Sequence, residues 1–97
     1  MYKKDVSNTD LEELFKAILS LENKDECKDF FEDLCTIEEI KLMSQRWHVA
    51  RLLNDKAKYL DVQELTGASS ATVSRVKKCL DYGKGYSMVL KKGIDKE

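Results

Sequence analysis

Apolar residues return every three or four positions between charged faces along most of this chain, which is the period of amphipathic helices. Leu11, Leu14, Phe15, Ile18 and Leu19 form one such face, and Thr9 with Glu12 suits a capping box, so a first helix is predicted from about Thr9 to about Glu22. Asn23-Lys24 reads as its exit. Asp25 opens a second helix, in which Cys27, Phe30, Phe31, Leu34 and Cys35 repeat the spacing. Thr36 and Glu39 make another capping box, which starts a third helix at Ile37. Its stripe of Ile37, Ile40, Met43, Trp47, Ala50 and Leu53 runs to Asn54, with Gln45, Arg46 and His48 on other faces. Residues 55–58 form a short polar connection that keeps the next helix close.

Beyond Tyr59 the pattern shortens. Asp61 is the expected N-cap of a helix over Val62–Thr66, with Glu64 at the capping-box position, and Gly67 supplies the positive φ that ends it. Ser69 or Ser70 caps the next helix, expected through Leu80 to about Tyr82. Gly83 and Gly85 break the chain, Tyr86, Met88, Val89 and Leu90 offer one or two more helical turns, and the end from Lys91 is charged and loose. Ninety-seven residues form one domain: core and dimerisation helices over 8–54, a helix-turn-helix over 59–82 and a C-terminal tail over 83–97. The absence of proline and the presence of only four glycines argue against hairpins, so the class is all-α with about five to six short helices.

A net charge of −1 argues against a polyanion binder until it is mapped. Residues 1–35 hold five lysines against ten acids; residues 56–92 hold eight basic residues against three acids. Phosphate binding follows the local field, so the basic back half outweighs the total. No apolar run approaches the ~20 residues of a membrane span, and nothing resembles a signal peptide. Cys27, Cys35 and Cys79 are odd in number and badly spaced for bridging, which suits reduced thiols in the cytoplasm. They are expected as small core residues, and with His48 they show no metal-ligand spacing. Neither a phosphate loop nor a carboxylate pair nor a nucleophile with its base is present, so no enzyme, metal or cofactor is expected.

What remains is the pair of short helices around Gly67, the layout of a helix-turn-helix. Val62, Leu65, Ala68, Val73, Val76 and Leu80 are expected to face inward; Ser69, Ser70, Thr72, Ser74, Arg75, Lys77 and Lys78 remain exposed. Small hydroxyl residues at the start of the second helix allow close approach to base edges, and the basic residues beyond suit phosphates.

The stretch Gly67-Ala-Ser-Ser-Ala-Thr-Val-Ser-Arg75 resembles the Gly-Ala-x-x-Ala-Thr-[Ile/Val]-[Ser/Thr]-Arg signature of the tryptophan repressor family. Over about residues 30–90 the chain looks like the small Trp-repressor-like branch of YerC/YecD type. The resemblance implies an intertwined all-α homodimer that places the second helix of the motif in the major groove of operator DNA. By position it implies Ser70, Ala71 and Ser74 at base edges, joined by Gln63, with Thr72 on phosphate. Lys56, Lys58, Arg75, Lys77 and Lys78 then supply phosphate contacts, with Ser69 at the helix start. The residues matching Thr36, Arg46 and Arg75 surround the family's bound tryptophan. Val76 stands where the repressor has glycine under the indole ring, so tryptophan is not the expected effector. The expectation is a repressor on double-stranded DNA, its two recognition helices about one turn apart, ~34–36 Å. Two alternatives stay open: a protein-interaction adaptor whose acidic front (Glu12, Glu13, Glu22, Glu26, Glu32) docks a basic partner, or a regulator gated by another small ligand.

Overall fold

The computed structural model describes residues 8–93, and every regular element among them is an α-helix. They run α1 (Asn8–Leu19), α2 (Lys24–Leu34), α3 (Ile37–Asn54), α4 (Tyr59–Thr66), α5 (Ser70–Tyr82) and α6 (Gly85–Lys91). The chain divides into two compact units, Met1–Ile37 and Glu38–Glu97. The residues from Ile94 onward, part of the expected loose end, lie outside the described ones.

In the first unit both helix boundaries differ from expectation. Thr9 lies inside α1 rather than capping it, and the helix stops at Leu19 instead of near Glu22. The early stop has a local cause. The Ser20 hydroxyl donates to the Ala17 carbonyl at 2.7 Å, the Leu21 N–H closes a tighter turn on the Ile18 carbonyl at 3.2 Å, and the Glu22 N–H is taken by the following cap. Asn23, expected as an exit, is the N-cap of α2: its side chain accepts from the Glu26 N–H at 2.9 Å, and the Glu26 carboxylate accepts from the Glu22 N–H at 2.9 Å. These bonds satisfy donors that a helix start leaves without partners. Neither α1 nor α2 contains a buried residue. Phe15 and Leu34 are exposed, as is Cys27, so within one chain this helix face is not packed in a core.

The second unit holds the core. Val49, Ala50, Val62, Ala68, Val73 and Val76 are buried, and Trp47, Leu52, Leu53, Ala57, Leu80 and Tyr86 pack against them. On α3 the buried side is the C-terminal half. Val49, absent from the stripe drawn through the sequence, is fully buried, whereas Ile37 and Met43 of that stripe are exposed. The helix is apolar on more than one side, so a single 3.6-residue stripe misjudges which side meets α4–α6.

The α3–α4 connection is a Schellman closure rather than a plain polar link. Lys56 takes a left-handed φ of 71°. Its N–H donates to the Leu53 carbonyl at 3.0 Å, and the Ala57 N–H donates to the Leu52 carbonyl at 3.1 Å. Helix α4 then starts at Tyr59, three residues before the expected start, with extended Lys58 as N-cap and no side-chain capping bond. Asp61 sits in the first turn, where its charge favours the positive end of the helix dipole. Leu65, expected inward, is 65% exposed because the short helix buries only Val62. At the far end, the Ser87 hydroxyl donates to the Leu80 carbonyl at 3.3 Å, and Tyr86 stacks on Trp47 with ring centroids 6.2 Å apart. These contacts fold α6 back onto α5 and α3.

Candidate nucleic-acid interface

The turn between α4 and α5 is fixed by bonds from three directions. Gly67 has a left-handed φ of 74°, and its N–H donates to the Gln63 carbonyl at 2.8 Å. The Thr66 hydroxyl donates to the Val62 carbonyl at 2.7 Å and accepts from the Ala68 N–H at 3.1 Å. From α3, the Gln45 amide donates to the Thr66 carbonyl at 3.1 Å. That carbonyl lies at the C-terminus of α4, where no intrahelical donor exists. Ala68, buried, then anchors the chain before Ser69 caps α5.

The cap also arranges the start of α5. The Ser69 hydroxyl accepts from the Thr72 N–H at 3.1 Å and donates to the Thr72 hydroxyl at 3.2 Å. Inward, Val73 and Val76 are fully buried. Outward, Ser70, Ala71, Ser74 and Arg75 are exposed, while Thr72 and Gln63 are half-buried. The small side chains therefore occupy the first two turns, where a helix entering a groove brings its backbone closest to base edges.

The basic residues differ among themselves. Lys56, Lys58, Arg75 and Lys78 are exposed. Lys77 is exposed but carries a partner, with its ammonium 3.0 Å from the Asp81 carboxylate one turn on. The hydrogen bond to Asp81, followed by its charge, holds the Lys77 pKa above the usual lysine value. Arg46 on α3 and Arg75 on α5 are both exposed in the second unit, and Thr36 belongs to the first. Val76 is 1% exposed, packed in the core.

Three participants escaped the sequence reading: Gln45, Thr66 and Asp81. Asp81 is four residues from Lys77 and so was available from helical spacing. Gln45 is 21 residues from its partner, and no local pattern links them. Among the described residues, no group of three or more His, Cys, Asp or Glu side chains is placed to hold a metal ion, and no helix is long and apolar enough to cross a membrane.

A Gly-turned pair of short helices, braced by a longer one and presenting small polar residues at the start of the second, defines a helix-turn-helix protein. The sequence model of the Trp repressor protein family matches residues 9–94, and the chain belongs to that family. It is 51% identical over 82 residues to the uncharacterized protein YerC of Bacillus subtilis (strain 168), covering 84% of this chain and 79% of the relative. A TrpR-like protein from Eubacterium eligens ATCC 27750 superposes with a TM-score of 0.86 at 52% identity, covering 90% of this chain and 92% of the other. A candidate Trp repressor from Staphylococcus aureus gives 0.85 at 46% identity, covering 89% and 87% respectively.

Proposed function

We propose that the protein is a cytoplasmic DNA-binding transcription regulator, a repressor that works as a homodimer and reads operator DNA with α5. The observation that carries this reading is the exposed, hydroxyl-lined start of α5, held on a buried Val62–Ala68–Val73–Val76 core and followed by Arg75 and Lys78. Ser70, Ala71 and Ser74 contact base edges, with Gln63 beside them. Thr72 accepts a hydrogen bond from Ser69, leaving its own proton for a phosphate oxygen. Ser69 holds the helix start in place, and Lys56, Lys58, Arg75, Lys77 and Lys78 supply phosphate contacts.

Homodimerisation is supported by what one copy leaves uncovered. α1 and α2 bury no residue, and the second unit keeps an apolar cleft of about 540 Å³ lined by Trp47, Cys79, Gly83, Gly85, Tyr86, Met88 and Val89. Phe15, Leu19 and Leu34 on α1 and α2 and Leu42 and Met43 on α3 are exposed, the kind of apolar surface that a second copy would cover.

Tryptophan is not the effector under this proposal. Val76 is packed in the core, so its side chain stays where an indole ring needs a glycine floor. Arg46 and Arg75 remain as anchors for another small anion. The test is Arg75→Ala, measured against an operator selected from random duplex with the wild-type protein. Affinity is expected to fall at least tenfold, the scale of one charge-assisted contact, with helix content and dimerisation unchanged. Wild-type affinity in that variant removes the central residue assignment.

A further inference from the structure

We propose that Gln45, on α3 and outside the helix-turn-helix, is a positioning residue that sets the orientation of the recognition helix. The inference rests on the DNA-binding reading above and deepens it.

The chain reverses between α4 and α5 over only Gly67, Ala68 and the cap Ser69, so the angle of α5 depends on the last turn of α4. That last turn is where a helix runs out of donors: the final carbonyls have no N–H four residues on. Gly67 satisfies the Gln63 carbonyl from within the chain. The Thr66 carbonyl points instead to α3 and is met by the Gln45 amide at 3.1 Å in a half-buried setting. Only the NH₂ end of the amide can donate to a carbonyl, so the partners define the orientation of the side chain. The same residue, Thr66, holds Ala68 through its hydroxyl at 3.1 Å. One residue thus receives α3 on its carbonyl and the start of the α5 segment on its side chain. Gln45 closes this clasp from the longest helix of the unit, itself anchored by buried Val49 and Ala50 one turn on. Loss of the donor leaves the half-buried carbonyl without its protein partner and loosens the clasp. The space is not tight. A Cβ at Gly67 would still lie 4.0 Å from the Gln45 amide nitrogen, so the turn glycine itself is not wedged against the brace.

Two substitutions separate hydrogen bonding from steric support. Gln45→Met keeps length and volume but has no donor. Gln45→Glu keeps shape and makes donation pH-dependent: the neutral carboxyl donates to the Thr66 carbonyl, and the ionised one repels it. The charged form is disfavoured in the fold, so the pKa of the introduced carboxyl rises above the ordinary ~4.3. The clasp is then complete below that ordinary value and lost as pH rises through the raised one.

The first readout needs no DNA. Amide hydrogen exchange at Gly67 and Ala68 in the full-length protein is expected to quicken about tenfold in Q45M, while α6 amides keep wild-type protection. Q45E should match the wild type at about pH 3.5 and exchange at least as fast as Q45M at about pH 7.5, with each exchange rate corrected for its intrinsic pH dependence. The second readout is the ratio of affinities for a selected operator and for random duplex. It is expected to fall about tenfold in Q45M, with random-duplex affinity preserved because the phosphate-contacting side chains are untouched. Unchanged exchange at the turn overturns the clasp, whatever happens on DNA. Loosened exchange with an unchanged affinity ratio overturns the positioning role while Arg75→Ala still tests the DNA reading. Failure of the wild type to bind any duplex overturns both.

Discussion

Three glycines and one lysine around the functional unit are expected to respond to substitution in different directions. At Gly67 the backbone is left-handed, φ 74°, yet a Cβ would have 4.0 Å to its nearest neighbour, the Gln45 amide nitrogen. Gly67→Ala therefore meets no clash and bears only the conformational cost, about 1–2 kcal/mol. Gly83→Ala reverses the causes. Its φ of −90° suits any residue, but the new Cβ would lie 2.8 Å from the Cys79 carbonyl oxygen, a backbone atom in the last turn of α5. Moving it disturbs the 2.8 Å bond from the Gly83 N–H to that same oxygen, so a cost of about 1–3 kcal/mol is expected from overpacking. Nothing lies within 4 Å of a Cβ at Gly85, the first residue of α6, and Gly85→Ala should stabilise by about 0.4–1 kcal/mol through the unfolded chain. Lys56 is the mirror of Gly67, a side chain where glycine fits better at φ 71°. Relief of about 1–2 kcal/mol, less about 0.4–1 for the freer unfolded chain, leaves Lys56→Gly stabilising by roughly 0.5–1 kcal/mol. Urea denaturation at one fixed protein concentration reads all four, since an associating protein has a concentration-dependent midpoint. With a slope of about 1–2 kcal/mol/M, Gly67→Ala should lower the midpoint by roughly 1 M. A wild-type midpoint for Gly67→Ala, or an equal loss for Gly85→Ala, would refute the reasoning.

Three further outcomes follow from the same geometry. Asp81→Asn releases Lys77 from its 3.0 Å partner, so the salt dependence of duplex binding should steepen by about one phosphate contact per chain, ~1.8 in slope for the homodimer, with stability within about 0.5 kcal/mol of wild type; an unchanged slope shows that Asp81 does not hold Lys77 back from phosphate. Millimolar L-tryptophan should leave the melting temperature where it is, because Val76 is packed in the core; a rise of several degrees shows that the ring is accommodated after all. Sedimentation should give twice the mass of one chain, covering the apolar residues that α1, α2 and the Trp47–Tyr86 cleft leave open; a monomer at micromolar concentration contradicts the homodimer.

Local chemistry made much of the architecture legible. Gly67, Ser69 and the Gly83 break act on their own neighbours, so the turn, the cap and the extent of α5 could be read in order. The same locality explains the buried face of α5, since Val73 and Val76 are three apart on one short helix. Expectation failed where distant residues decide. Leu65 has helical spacing from Val62 but faces outward, because eight residues of α4 offer the core only one buried side chain. Val49 escaped the α3 stripe because that helix is apolar on several sides, and α4–α6 choose the side used. Asn23 looked like an exit and is a cap, because its side chain accepts from the Glu26 N–H three residues on. At the candidate site, exposed Ser69, Ser70 and Ser74 followed from the pattern while Thr72, expected exposed, is half-buried, and the Gln45 brace depends on a contact 21 residues away that no periodicity encodes.

The most direct measurement is fluorescence anisotropy of labelled random-sequence duplex titrated with the full-length protein between about 50 and 200 mM salt. With five basic candidates per chain, Lys56, Lys58, Arg75, Lys77 and Lys78, the logarithm of affinity should fall linearly with the logarithm of salt. A slope equivalent to several phosphate contacts is the expected result, and it would justify selecting an operator. An absence of binding even at the lowest salt would contradict the DNA-binding reading and favour docking of a basic protein on the acidic helices α1 and α2.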